Sequence, residues 1–434
     1  MTTPVCTADD GGPEGELLSW GSNQYGQLGR LSEDDVAVPV RCDALRLGPL
    51  RAGDVKALYA GGGHSALLLG DGRLFLWGWG EHGQLGRPPA HDSDGALAPL
   101  PLLVREAALG HTHTLLLVDV GDGDGGGEGS GGSGGGGGGD DGGGGGGGAA
   151  QGGTTDEGRR LRLFACGSNK FGECGVRGGA AEVRAPAPVD ALEAGEQPCR
   201  ALAAGVRHSA AVSAQGRLVT WGCNRHGQCL DGGARWAPGG GGELEACACG
   251  HGHTAARDTA GSVWVLGAGK HGQHGDGGGG TEDAAPQAVL LRLDGGEAPA
   301  RCVSLASGWS HCAALLEGGG ALTWGRNNFG QVGQGSFTPR AAAGAARVPG
   351  GAAPLLGVHC SPEGCVALGT DGAVWSCGWN EHGNLGTGDT ESRHTLVPVE
   401  GLGALPAGTT TSARFVAAGG AHVLVFRCGP PGRV

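Results

Sequence analysis

The sequence has 434 residues, of which 98 are glycine, and its formal net charge is −13 at pH 7. This acidity argues against a nucleic acid or an anionic membrane as the main partner, because both are bound through clustered lysine and arginine. No stretch approaches the roughly 20 apolar residues that span a bilayer, and the first residues contain no apolar run. We therefore expect no membrane insertion and no signal peptide.

Fifteen cysteines stand mostly in apolar stretches, and no Cys-x-x-Cys pair occurs. This usage is typical of reduced thiols, so we expect a cytoplasmic protein, with the nucleus as an alternative location.

The paired histidines are not accompanied by regularly placed cysteines or carboxylates, so no metal site is predicted. No nucleophile elbow, phosphate loop or dinucleotide fingerprint occurs, so neither catalytic residues nor a cofactor are predicted.

One unit recurs along the chain: an apolar strand, Ala-Gly-x-x-His, a second strand, a turn, a third strand and a glycine-rich loop. The loop begins at these seven points: "WGSNQYGQLG" from Trp20, "WGWGEHGQLG" from Trp77, "CGSNKFGECG" from Cys166, "WGCNRHGQCL" from Trp221, "LGAGKHGQHG" from Leu266, "WGRNNFGQVG" from Trp324 and "CGWNEHGNLG" from Cys377. The histidine is His64, His113, His208, His253, His311 and His422, and Gly364 stands in its place in the sixth unit. Its absence from one unit argues against a catalytic role.

The histidine and the glycine that opens the loop are usually fourteen residues apart, as in His64 and Gly78. This fixed distance predicts a β-hairpin, whose register tolerates no length variation. The third loop position is always Asn or Gly, which predicts a left-handed backbone there. The fifth position always carries a ring, which predicts one packing slot used in every unit. The tryptophan before the glycine is expected to fill the space between units.

The distance from His113 to Gly167 exceeds the usual spacing by forty residues, and a run of glycines accounts for the excess. Residues 119–158 are therefore predicted to be a flexible acidic loop that replaces one hairpin turn.

The chain opens on the second half of a unit and closes on the first half, so the two ends together complete the seventh unit. A closed ring follows, since closure removes exposed sheet edges.

These patterns predict an all-β fold: a seven-bladed β-propeller with four-stranded blades, closed by pairing of the N- and C-terminal segments. The predicted organisation is a flexible tail at 1–15, the propeller at 16–428 with its insert at 119–158, and a second tail at 429–434. We expect a monomer.

The repeated unit resembles that of the regulator of chromosome condensation family. The resemblance covers about residues 16–428, and within the family the chain is similar to the branch of exchange factors that regulate secretion. The stretches that carry this likeness are "GGGHSA" (61–66), "CGSNKFGECGV" (166–176), "AAGVRHSAAV" (203–212), "SGWSHCAAL" (307–315), "TWGRNNFGQVG" (323–333) and "GWNEHGNLGTGD" (378–389). The resemblance implies a protein-binding adaptor or guanine nucleotide exchange factor, without covalent catalysis. Its implied partners are a small GTPase or a component of an exocyst-type tethering complex.

Two alternatives stay open at this level. A plant ultraviolet-B receptor uses the same fold, but it clusters tryptophans in a slot where this chain has only Trp309. Exchange on a nuclear GTPase at chromatin is the family's founding activity, but the basic N-terminal tail is absent here.

Loop residues that depart from the repeat are the candidate partner-binding residues, because exposed tryptophan and arginine often anchor interfaces. They are Trp79, Arg207, Trp309, Arg326, Trp379 and Glu381.

Overall fold

The computed structural model describes residues 14–87, 97–121, 160–275, 283–289, 300–346, 353–403 and 412–428. Most of the predicted N-terminal tail, most of the glycine-rich insert and the C-terminal tail beyond 428 lie outside these residues. Within the described ranges no helix has the length and apolar character needed to cross a membrane.

The regular structure is almost entirely β-strand. In chain order the strands are β1 (Glu14–Gly21), β2 (Val36–Arg41), β3 (Leu50–Arg51), β4 (Val55–Ala60), β5 (His64–Leu69), β6 (Leu74–Gly78), β7 (Val104–Leu109), β8 (His113–Asp119), β9 (Leu161–Ser168), β10 (Glu182–Pro188), β11 (Ala201–Ala204), β12 (His208–Val212), β13 (Leu218–Gly222), β14 (Leu244–Cys249), β15 (His253–Asp258), β16 (Val263–Gly267), β17 (Asp283–Val289), β18 (Cys302–Ser307), β19 (His311–Leu316), β20 (Ala321–Gly325), β21 (Arg340–Ala345), β22 (Leu355–Ser361), β23 (Gly364–Gly369), β24 (Val374–Gly378), β25 (Arg393–Pro398), β26 (Ser412–Ala418) and β27 (His422–Cys428). Short 3-10 turns cover Asp43–Leu45, Ala194–Glu196, Asp231–Gly233 and Gly239–Gly241.

The strands form seven antiparallel sheets, which we number as blades. Blades 1 to 6 follow the chain as β4–β6, β7–β10, β11–β13, β14–β17, β18–β21 and β22–β25, and blade 7 has the order β2-β1-β27-β26. Blades 1 and 3 obtain their fourth position from short segments: the Leu100 N–H bonds the Leu74 carbonyl at 2.9 Å, and Leu218 and Trp236 exchange two backbone bonds at 2.7 and 3.1 Å. The predicted propeller of seven four-stranded blades is confirmed.

Blade 7 combines the two ends of the chain. β1 pairs with β27 without interruption from Gly15↔Cys428 to Gly21↔His422. The Glu16 carboxylate, on β1, binds the guanidinium of Arg427 on β27 and that of Arg41 on β2. The predicted closure is confirmed, and β1 begins at Glu14, slightly before the predicted boundary.

The repeated spacing of histidine and glycine is the register of a strand pair. His64 lies opposite Gly78, His311 opposite Gly325, and His422 opposite Gly21 across the closing seam. At Gly325 φ is +108°, and an added Cβ would lie 2.5 Å from the Ser310 carbonyl oxygen and 2.7 Å from the His311 Cα. No other residue type fits, because both the backbone angle and the space require glycine.

The six histidines, which we call the joint histidines, connect each blade to the next. The Nε2 atoms contact hydroxyls of the following blade in these pairs: His64 to Thr114 at 3.0 Å, His113 to Ser209 at 2.8 Å, His208 to Thr254 at 3.0 Å and His422 to Ser65 at 2.9 Å. Each hydroxyl donates its own proton to a loop carbonyl of the histidine's own blade, those of Gln84, Glu173, Gln228 and Gln27, at 2.7–2.8 Å. The hydroxyl must therefore accept from an Nε2–H.

Burial keeps these imidazoles neutral. It lowers the pKa of His64, His113 and His253 to about 3 and the pKa of His208, His311 and His422 to about 4. The Nδ1 atoms are buried, and none of the described residues pairs with them, so protonation would place an unpaired charge between blades.

Hydrophobic cores fill the spaces between neighbouring blades. One joins Leu17 and Phe426 of blade 7 to Leu67 and Trp77 of blade 1. As predicted, the tryptophans of the repeat are buried there, and each indole N–H donates to a loop carbonyl of the preceding blade, as from Trp20 to Asn384 and from Trp324 to Gln273. Cys166 and Cys377 occupy the same slot and direct their thiols to the equivalent carbonyls of Gln84 and Gln331.

The predicted left-handed backbone at the third position of the glycine-rich loop is wrong. Among the described residues other than glycine, only Arg46 has a positive φ, so Asn23 and its equivalents are not left-handed. Asparagine is used because its Oδ1 accepts the N–H five residues later, as from Leu28 to Asn23 at 2.9 Å and from Val332 to Asn327 at 3.0 Å. The side chain closes the loop, and the positive φ angles fall on glycines such as Gly26 and Gly29.

Replacing Gly325 by alanine should cost roughly 3 kcal/mol or more of unfolding free energy, because an unfavourable φ and a backbone collision add. The matched control is Gly178→Ala, where φ is +110° but nothing lies within 4 Å of the added Cβ. Urea unfolding of both variants measures the difference. Equal losses would show that the close approach to Ser310 is unimportant.

Acid should unfold the protein between about pH 6.5 and pH 4. Because the folded pKa of each joint histidine lies below the unfolded value of about 6.5, the unfolded state binds more protons in this window and stability falls with pH. The loss is about 1.4 kcal/mol per pH unit for each fully buried histidine. Urea unfolding at stepped pH values measures the slope, and His64→Gln should reduce it by about one proton. A free energy of unfolding that stays flat from pH 7 to 5 would contradict this account.

Candidate functional site

The loops before the joint histidines and the glycine-rich loops meet on one face of the ring, which we call the histidine face. Backbone bonds tie the first set of loops together around the central channel: Gly62 N to Gly110 O, His111 N to Gly205 O, Val206 N to Gly250 O, His251 N to Trp309 O, Trp309 N to Pro362 O and Gly420 N to Gly61 O. The hairpin turns, such as Asp71–Gly72, lie on the opposite face. The histidine face is thus a rigid rim with variable side chains.

Each glycine-rich loop holds its ring residue in a fixed place. The N–H of the ring residue bonds the side chain two positions later, as from Tyr25 to Gln27 at 2.8 Å and from Phe171 to Glu173 at 2.7 Å. The predicted ring slot is therefore real, but Tyr25 is 40% exposed. These rings belong to the surface as much as to the packing.

An aromatic line crosses the histidine face. Tyr25 stacks on Trp79 with ring centroids 4.9 Å apart, and Trp79 meets His111 edge-on at 6.1 Å. His111 in blade 2 contacts Trp309 in blade 5 at 6.2 Å, and Trp309 contacts His251 at 6.3 Å. The line therefore passes over the channel mouth and joins blades that are far apart in the chain.

Cationic side chains flank this line. The Arg207 guanidinium lies 4.8 Å from the Phe171 ring centroid, and Arg225 lies 5.6 Å from the same ring. Arg326 lies 5.8 Å from the Phe329 ring and pairs with Glu363 at 2.9 Å. Stacking on an aromatic face holds a guanidinium group in place and leaves its N–H donors at the edge available, although Arg326 already uses one of them on Glu363.

Between these groups lies a cleft of about 470 Å³. Its wall includes His82, His111, Lys170, Arg207, Trp309 and Arg326. Burial, followed by the charge of Arg207, lowers the pKa of both His111 and His251. These histidines are thus neutral at pH 7, and the positive charge of the cleft comes from arginine and lysine.

The structure brings four of the six predicted partner-binding residues together. Arg207, Trp309 and Arg326 line the cleft. Trp79 contacts the ring of His111, which also lines the cleft. Trp379, in blade 6, packs against Phe329 of blade 5 and against His382 of its own blade, at ring distances of 6.4 and 5.2 Å. Glu381 is an exposed loop residue of that blade, outside the cleft.

Sequence reasoning missed several members of the surface, above all Tyr25, His111, Phe171 and His251. His111 and His251 occupy the same variable position as Trp309, two residues before the joint histidine, and this shared position was the available signal. In the slot where the photoreceptor clusters tryptophans, Trp309 has imidazoles as its ring neighbours, His111 and His251.

Metal-ligating side chains meet away from the cleft. Among the described residues, a cluster of three such groups occurs at one place, where His311, Cys360 and Cys365 adjoin between blades 5 and 6. The cleft itself offers aromatic planes and guanidinium donors, which are groups suited to binding a protein surface.

Comparison with curated proteins finds the secretion-regulating guanine nucleotide exchange factor of Mus musculus, 27% identical over 439 residues and covering 93% of this chain and 82% of that protein. The ultraviolet-B receptor of Arabidopsis thaliana is 25% identical over 333 residues, which are 75% of this chain and 52% of the receptor.

Among solved structures, Prp20p from Saccharomyces cerevisiae aligns with a TM-score of 0.70 and 17% identity, over 97% of this chain and 92% of that one. Its structure was described together with its binding to Gsp1p and histones. At this identity the likeness establishes the fold alone.

Two descriptions of the regulator of chromosome condensation (RCC1) repeat match the chain. One covers residues 14–68, 71–117 and 371–426, and the other covers residues 55–84, 199–228 and 302–331. The matched segments include the joint histidines His64, His113, His208, His311 and His422 and the glycines opposite four of them. The chain therefore belongs to the family of regulator of chromosome condensation repeat proteins.

Proposed function

We propose that this protein regulates a small GTPase as a guanine nucleotide exchange factor or adaptor, and that the histidine face is its docking surface. The observation that carries the proposal is the aromatic line from Tyr25 to His251, flanked by Arg207 and Arg326. Buried tryptophan and arginine contribute most of the energy of protein interfaces. The likeness to a guanine nucleotide exchange factor supplies the kind of partner.

The charge of the face favours an acidic partner surface. The chain as a whole carries a formal charge of −13, yet the cleft gathers Lys170, Arg207 and Arg326, with Arg225 beside them. Two carboxylates, Glu173 in the cleft wall and Glu363 paired with Arg326, offset part of this charge, and the balance of these groups stays positive. Such a local reversal of sign orients an incoming partner and raises its association rate. Rigid backbone bonds between the rim loops reduce the entropy lost on binding.

Exchange on such a surface needs no covalent chemistry. A regulator accelerates nucleotide release when it binds the nucleotide-free GTPase more tightly than the loaded form. The cleft can supply this difference if Trp309 and the arginines contact a segment of the GTPase that moves when nucleotide leaves. Weak exchange with stable binding is the adaptor form of the same activity.

We further propose that the protein acts in secretion, in the cytoplasm, with an exocyst-type tethering component as a second partner. The support is the likeness to a secretion-regulating relative over 93% of the chain. Co-precipitation of tethering components with the full chain, compared with a Trp309→Ala variant, would test this part separately from exchange.

Trp309→Ala and Arg207→Ala should each weaken GTPase binding by about 2 kcal/mol, or roughly 30-fold, because each removes an exposed anchor of the face. The measurement is binding to a panel of nucleotide-free small GTPases, with release of a fluorescent nucleotide followed in parallel. Neither side chain is buried in a blade core, so both variants should unfold at the wild-type temperature.

The matched control is Leu103→Ala. Leu103 is 53% exposed and lies beside the Gly72 turn on the opposite face. It should leave binding unchanged. If Leu103→Ala weakens binding as much as Trp309→Ala does, or if no GTPase of the panel binds the wild-type chain, the proposal fails.

A further inference from the structure

The contact between blades 5 and 6 departs from the other contacts between blades. His311 has no hydroxyl partner in blade 6, because the repeat position of Ser65 and Ser209 is occupied by Cys365. The histidine expected in blade 6 is replaced by Gly364, whose carbonyl oxygen lies 3.2 Å from the His311 Nε2. A second thiol, that of Cys360, occupies the position that is alanine in blades 1, 3 and 7.

These substitutions bring two sulfur atoms and one imidazole nitrogen together. The Sγ atoms of Cys360 and Cys365 are 3.5 Å apart, and the Cys365 Sγ lies 3.5 Å from the His311 Nε2. All three atoms lie within 4.8 Å of one another. A tetrahedral zinc ion with bonds of about 2.0–2.3 Å separates its sulfur and nitrogen ligands by about 3.5–3.8 Å. A shift of about 1 Å by Cys360 would complete this geometry.

The register explains why the arrangement is stable without metal. Cys360 on β22 and Cys365 on β23 are directly opposite partners, so the sheet itself sets their separation. His311 and Cys365 are buried, while Cys360 is partly exposed and lines the central channel. The channel gives an ion a route to the thiols and leaves room for a water molecule as the fourth ligand.

We propose that His311, Cys360 and Cys365 form a zinc site on the channel wall. Charge favours zinc, since two thiolates and a neutral imidazole balance a divalent ion in a buried place. The donor set favours it too, because zinc and other borderline-soft ions bind sulfur and nitrogen in this geometry. The site departs from the sequence prediction that the chain holds no metal.

Binding is coupled to proton release. Both thiols must lose their protons, and the imidazole proton must move from Nε2 to Nδ1. No described residue pairs with the His311 Nδ1, so the zinc–sulfur bonds must offset an unpaired buried N–H. Zinc affinity should therefore rise with pH through the range in which the thiols ionise.

The test uses the full chain, stripped of metal and kept reduced by a phosphine. Titration with Co²⁺ should saturate at one ion per chain with a thiolate-to-cobalt charge-transfer band, and Zn²⁺ should then displace the cobalt. Zinc should also raise the unfolding temperature. Cys360→Ala and Cys365→Ser should each lower zinc affinity by more than the roughly 10–100-fold that loss of an outer-shell partner costs.

Both variants place residues that other blades already carry at these positions, so both should fold. The matched control is Cys312→Ser, which makes the same change one blade earlier. There the Cys312 Sγ lies 3.2 Å from the Nε2 of the joint histidine His253, but Ser307 stands in the position of Cys360 and lies 2.8 Å from the same nitrogen, so the second thiol is missing. It should leave the cobalt spectrum and zinc affinity unchanged. A spectrum without the thiolate band, or equal loss of affinity in Cys312→Ser and Cys365→Ser, would overturn the site.

Discussion

The contact between each joint histidine and the next blade is the interaction on which the ring depends. At four of the six joint histidines it connects three elements at once: the imidazole of one blade, a hydroxyl of the next, and a carbonyl in the glycine-rich loop of the first. The hydroxyl has one proton and donates it to the carbonyl, so the imidazole must donate from Nε2. The chain thus fixes the tautomer, the spacing of the blades and the position of the loops through one repeated bond network.

The exception in blade 6 follows the same physics. Gly364 supplies no imidazole, and the residue that would have received its proton is Val423, which is buried against Val366 and Leu368. A buried hydroxyl without a donor, or an imidazole without an acceptor, would each cost free energy. Donor and acceptor are therefore absent together, and apolar packing takes their place.

The sequence alone predicted those features that repeat at a fixed distance. The hairpin register, the buried tryptophans and the closure of His422 against Gly21 all follow from spacing within one unit. The aromatic line could not be predicted in this way, because His111 and Trp309 are neighbours only once the ring has brought blades 2 and 5 to the same channel mouth. The asparagines were misinterpreted because two mechanisms, a left-handed backbone and a side-chain acceptor, favour the same residue. Arg326 shows the same limit, since its partner Glu363 comes from another blade.

The split blade has a consequence for synthesis on the ribosome. Of the described strands β1 is made first and its central partner β27 last, with 400 residues between Gly21 and His422. The cores between blades 2 and 3 or between 4 and 5 can assemble from segments already synthesised. Two others cannot, because they need Leu424 and Phe426 or Val423 and Val425. Domains usually fold as their residues emerge, at about 5–20 residues per second. This propeller must instead keep the apolar edges of blades 1 and 6 uncovered until β27 has emerged, so closure of the ring is the last of these folding steps.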